Sequence, residues 1–159
     1  MNEQATLYIQ RSETEQITAE ILQEISQNEQ LQQENFKLEK QFTFYNAVIT
    51  HSYYAIFYAA KAILAKEKIK TTAPEVHKKT LLEFEKNLIK TGKLDLELLK
   101  IYKKTIVRAQ ELLGIFQTEK TKRGHFTYQK LPHANKQPAQ ESLENAQKFF
   151  KNINKIIRT

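Results

Sequence analysis

Apolar residues recur along this chain at helical spacing, and no stretch shows the alternation of a half-buried strand. Residues 13–27, ETEQITAEILQEISQ, place Ile17, Ile21, Leu22 and Ile25 on one face of a predicted helix, with glutamates opposite. The following NEQLQQENFKLEKQ is rich in Gln and Glu. With no proline or glycine to break it, it reads equally as an extension of that helix or as a polar connector. Residues 42–66, FTFYNAVITHSYYAIFYAAKAILAK, are apolar nearly all the way round, which predicts a helix in the middle of a bundle. Its small residues Ala55, Ala59, Ala60 and Ala62 would let neighbours approach closely. Pro74 predicts a helix start, continued by Val76, Leu81, Leu82, Phe84, Leu88 and Ile89, and Gly92 in IKTGKLD predicts its stop. From about 95 to 116, Leu99, Tyr102, Ile106, Ala109, Leu113 and Phe116 follow at 3-4-3-4-3. From about 138 to 157, Leu143, Ala146, Phe149, Phe150, Ile153, Ile156 and Ile157 form an apolar stripe. The expected fold is all-α, a bundle of four to five helices in a single domain over 1–159, with an acidic, Gln-rich amino-terminal helix over about 1–40.

Composition narrows the classes of function. A chain of 159 residues is long enough for one real core, and three Gly and three Pro argue against disorder and against a turn-rich β fold. With no Cys, disulfides, thiolate catalysis and Cys-ligated zinc are excluded. MNEQATLYIQ lacks the charged and apolar regions of a signal peptide, and no apolar run reaches the roughly eighteen residues of a membrane span. The expectation is a soluble, cytoplasmic protein with no membrane partner. Charge is unevenly placed: residues 1–50 carry three Lys/Arg against eight Glu, a net of −5, while the other 109 carry a net of +12. Such polarity suggests a basic face for an acidic partner or a phosphate backbone.

Two places concentrate candidate chemistry. On the predicted central helix, His51, Tyr54, Tyr58 and Lys61 follow at three, four and three, so they line one face. Polar groups there either satisfy one another or form a groove wall whose aromatic and basic groups suit bases and phosphates. The segment KTKRGHFTYQKLPH (120–133) has no helical period and gathers Lys122, Arg123, His125, Tyr128, Lys130 and His133. It reads as a basic surface loop with a tucked aromatic, or as a supplier of phosphate-binding and proton-transfer groups. The four histidines form no HExxH or i,i+4 pair, and GxGxxG, Walker and GxSxG patterns are absent, so no metal or cofactor is expected.

Three segments in order, THSYYAIFYAAKAIL (50–64), VHKKTLLEFEKNLIKTGKLD (76–95) and RGHFTY (123–128), resemble the HEPN domain over roughly residues 40–157. The resemblance implies an up-and-down helical bundle that usually dimerises and acts near RNA or nucleotides. It often implies the toxin half of a pair with a minimal nucleotidyltransferase. Many members of the family are metal-independent endoribonucleases with an Arg-x4-6-His motif. Arg123 matches the motif arginine. Tyr128 matches the tyrosine of an Arg-x-x-Ala-Asp-Tyr form, which in relatives with a nucleotidyltransferase partner can receive nucleotide groups; Phe126 and Thr127 replace its Ala and Asp. One residue separates Arg123 from His125 and nine separate it from His133, so the usual spacing is not present, and His51 stands where many relatives have an arginine. Metal-independent RNA cleavage needs a cation on the phosphate and a proton-transfer group near neutral pH, which Arg and His supply. The candidate catalytic residues are therefore Arg123, His125 and His133. The candidate nucleotide- or RNA-binding residues are His51, Tyr54, Tyr58, Lys61, Lys122, Tyr128 and Lys130. A toxin-like ribonuclease, a non-catalytic module presenting RNA or nucleotide to a partner enzyme, and a structural adaptor all stay open.

Overall fold

The structure, a computed structural model, describes residues 2–113 and 135–159, with side chains over 2–110 and 135–159. Among the described residues there are six helices and no strand. They are α1 (Glu3–Gln27), α2 (Glu29–Phe36), α3 (Tyr45–Lys66), α4 (Val76–Phe84, continued by a π-turn over Glu85–Ile89), α5 (Leu96–Leu113) and α6 (Lys136–Arg158). The all-α bundle expected from the apolar pattern is what forms, and none of these helices is long and apolar enough to cross a membrane.

Cross-helix hydrogen bonds fix the directions. Asn2 Nδ2 donates to Ala65 O (2.7 Å), Ser12 Oγ to Ala55 O (2.5 Å) and Phe44 N to Ser26 Oγ (2.7 Å), so α1 runs antiparallel to α3. Asn135 Nδ2 donates to Asn46 Oδ1 at one end and Lys66 Nζ to Ile156 O (2.7 Å) at the other, so α6 runs parallel to α3. Lys148 with Glu97 and Arg108 with Glu141 set α5 antiparallel to α6. The four long helices therefore go up, down, up, down. The two that run the same way, α3 and α6, pack directly on each other across the middle.

Helix α3 is central because its sequence leaves it no polar side to spare. Val48, Ile49, Ile56, Ile63 and Leu64 are buried, and so are all four of the alanines expected to allow close approach. At the far side, the rings of Phe84 (α4), Tyr102 (α5) and Phe149 (α6) meet with centroids 5.5–5.7 Å apart. The α5 and α6 stripes are inward as expected, and Leu113 and Phe116 lie outside the described side chains.

Three boundaries differ from the sequence pattern. First, α1 begins at Glu3, ahead of the apolar-spaced segment 13–27, because Asn2 Oδ1 caps it by accepting from Ala5 N (2.8 Å). Its buried face is Ala5, Ile9, Ser12, Ala19, Gln23 and Ser26, whereas Ile17 (46% exposed) and Ile21 (51%) point outward. Small residues and hydrogen bonds seat α1 closely against α3, and a large apolar stripe would hold it away. Second, α2 resolves the undecided segment as a separate short helix: Asn28 caps it through Leu31 N, and Lys37 ends it in the left-handed region. Third, α4 starts at Val76 and not at Pro74. Its end follows expectation, since Gly92 (φ 76°) takes the left-handed position after the π-turn and donates to Ile89 O (3.0 Å).

Candidate functional site

The row His51, Tyr54, Tyr58 and Lys61 does lie along one half-buried strip of α3, flanked by α1 and by the start of α4. From α1 come Tyr8, Arg11 and Glu15, which repeat the helical spacing in the opposite direction. Glu15 Oε2 meets His51 Nδ1 at 2.5 Å. The Arg11 guanidinium sits 4.2 Å from the centre of the Tyr58 ring, and Tyr8 stacks loosely on Tyr58 at 6.3 Å. Tyr58 in turn stacks on Tyr54 at 6.1 Å. From α4 comes His77, whose ring lies 4.3 Å from that of Phe57 and whose Nδ1 is 2.8 Å from the Tyr53 hydroxyl. Aromatic rings are thus continuous from His77 through Tyr54 and Tyr58 to Tyr8.

Lys61 closes the row. Its ammonium donates to Thr71 O (2.9 Å) and lies 4.9 Å from the Tyr8 ring centre. Beside it opens a cleft of about 270 Å3, whose lining includes Gln4, Tyr8, Lys61, Lys70, Thr71 and Thr72 and no carboxylate. Neither Arg11 nor Lys61 is within ion-pair distance of a carboxylate among the described residues. The carboxylate one turn along from Arg11, Glu15, is turned to His51 instead. Arg11 is exposed to solvent, whereas Lys61 is half-buried, and a half-buried cation with no counter-charge is an electrostatic cost that an anionic ligand would relieve.

Burial sets the protonation states. It raises the Tyr53 phenol far above its usual value, with a smaller push from Tyr54, so Tyr53 stays neutral. It also raises Tyr58, against the pull of Arg11. His77 is held below 6.5, chiefly by desolvation and further by Lys61. Which of the two donates depends on the His77 tautomer: where Tyr53 O–H donates to Nδ1, the neutral ring carries its proton on Nε2. Because the unfolded chain then binds a proton more readily than the folded one, stability falls as pH drops through about 6.5. It levels off once the folded ring is protonated too. Denaturant midpoints at pH near 7.5 and 5.5 are expected to differ less in His77→Gln than in the parent. Equal differences in both proteins would show that His77 does not carry the effect.

Of the residues singled out from sequence, His51, Tyr54, Tyr58 and Lys61 are brought together. Lys122, Arg123, His125, Tyr128, Lys130 and His133 lie outside the described residues. Tyr8, Arg11 and His77 join the site without having been singled out. Their signal was present, since Gln4, Tyr8, Arg11 and Glu15 repeat at 4-3-4, but only a helix extended back to residue 3 makes them one face. Among the described residues no group of three or more His, Asp or Glu is placed to hold a metal ion. Comparison with family models, curated proteins and solved structures gives no match.

Proposed function

We propose that the protein binds RNA or nucleotides along the groove of α3 between α1 and α4, as a HEPN-like bundle acting with a minimal nucleotidyltransferase. The observation that carries this reading is the ladder Tyr54–Tyr58–Tyr8 edged by two cations, Arg11 and Lys61, that lack a carboxylate partner among the described residues. Aromatic faces accept bases of any sequence, and unpaired cations beside them suit the phosphates between those bases. The three quoted segments and the up-and-down helix order agree with the family resemblance, which also brings in a second copy of the chain and the partner enzyme. Binding is the reading adopted, because the arginine–histidine spacing of the family's nucleases is not present.

Fluorescence anisotropy with a short single-stranded RNA is the direct test. Tyr54→Leu and Tyr8→Leu each remove a ring while keeping an apolar side chain, and each is expected to weaken binding by about 1–3 kcal/mol. Affinity is also expected to fall steeply with added salt. Unchanged affinity in both variants would remove the groove from consideration, and no binding at low salt would remove the RNA reading. Cleavage of the probe would shift the assignment to the ribonuclease.

A further inference from the structure

The groove differs at its two ends. At the His51 end the row is occupied by Glu15, which faces any incoming phosphate with a carboxylate. At the Lys61 end the lining is cationic and a partly open cleft lies beside the row. Asn2 Nδ2 ties the start of α1 to Ala65 O at the end of α3, and Gln4 and Ala65 line the cleft just inside that tie. A volume of about 270 Å3 is below the roughly 300–1,000 Å3 of pockets that enclose drug-sized ligands. It is a small, partly open space at the end of the aromatic ladder, of a size for a phosphate group rather than a run of nucleotides.

We propose that this cleft seats a terminal phosphate monoester, carried by an RNA end or by a free nucleoside monophosphate. The inference rests on the RNA or nucleotide reading of the groove and adds which group is recognised. A monoester carries about −1.5 to −2 at neutral pH, against −1 for a phosphodiester within a strand. Two ammonium groups, Lys61 and Lys70, meet that extra charge, and no carboxylate in the lining offsets them. Lys61 is pre-positioned: one of its three donors is held by Thr71 O and its ammonium lies 4.9 Å from the Tyr8 ring centre and 5.8 Å from that of Phe57, leaving the remaining donors for a ligand. The Tyr8 hydroxyl accepts from Gln4 Nε2 at 3.3 Å, so its own proton is available to a phosphate oxygen. Thr71 Oγ1 is engaged with Thr80 Oγ1 (2.7 Å), which leaves Thr72 as the hydroxyl side chain from the connector.

The test uses one RNA sequence in three forms, with hydroxyl ends, with a 5′-phosphate and with a 3′-phosphate, and a nucleoside 5′-monophosphate as competitor. One phosphorylated form is expected to bind about tenfold more tightly than the hydroxyl form. That preference is expected to vanish in Lys61→Gln and to shrink in Lys70→Gln, whose side chain is exposed and whose loss leaves the fold intact. Competition by the monophosphate at concentrations like those of the phosphorylated RNA identifies the free nucleotide as the ligand; competition by the RNA alone identifies the strand end. RNA binding that is equal for all three forms overturns the terminal seat and leaves the groove reading standing. Absence of binding by every probe overturns both.

Discussion

Replacing Phe149 by alanine is expected to lower the free energy of unfolding by about 3–5 kcal/mol. Phe149 is fully buried, and its ring touches those of Phe84 and Tyr102, which also touch each other. That cluster is where α4, α5 and α6 meet, so three elements lose contact at one stroke. Each is anchored elsewhere, which limits how far they can collapse into the vacated space. Loss of dispersion contacts and the residual cavity then add to the lost transfer energy. Phe149→Leu keeps most of the volume and is expected to lose less than half as much. Urea denaturation read by far-ultraviolet dichroism measures both. A loss below about 1 kcal/mol for the alanine variant would mean that the cluster closes over the gap and does not join the three helices.

The second large effect is expected at Gln32, a fully buried side chain in a helix of otherwise solvated Gln and Glu. Its Nε2 donates to Ile25 O (2.6 Å) and Phe42 O (2.8 Å), and its Oε1 accepts from Phe42 N (2.8 Å). One amide therefore pins the end of α1, the middle of α2 and the strap leading into α3. Gln32→Leu preserves the size of the side chain but leaves the main-chain groups of Phe42 without these partners. Ile25 O is less affected because it also accepts from Asn28 N. The expected loss is about 2–3 kcal/mol. Gln33→Leu, one position along and exposed, is the matched control and is expected to change stability by less than about 0.5 kcal/mol. Equal effects at the two positions would count against the pinning role.

Gln32 also shows what sequence could not reveal. The apolar helices were legible because burial writes itself as period: α3, α5 and α6 carry stripes that the structure turns inward almost residue for residue. The amino-terminal third was not, because its inward positions are small or polar. Ser12, Gln23, Ser26 and Gln32 are buried with hydrogen bonds to other helices or to the strap before α3, and no count of apolar residues along α1 finds them. Ile17 and Ile21, the residues that looked most like a core face, are on the outside. The candidate site divides the same way. The α3 row was visible from its own spacing, whereas Tyr8 and Arg11 acquire meaning only from the antiparallel register that lays them over Tyr58.

The parallel pairing of α3 with α6 has a bearing on how the chain reaches this arrangement. The contacts at the two ends of the pair join residues 89 and 90 positions apart, Asn46 with Asn135 and Lys66 with Ile156. Helix α1 can fold back on α3 as a local hairpin soon after both are synthesised, covering one side of an almost wholly apolar helix. The side of α3 that α6 covers waits until α6 has been made, so that part of an almost wholly apolar helix stays uncovered while α4 and α5 are synthesised. Closing that long span costs more chain entropy than the α1–α3 hairpin does, so the two sides of α3 are covered on unequal terms.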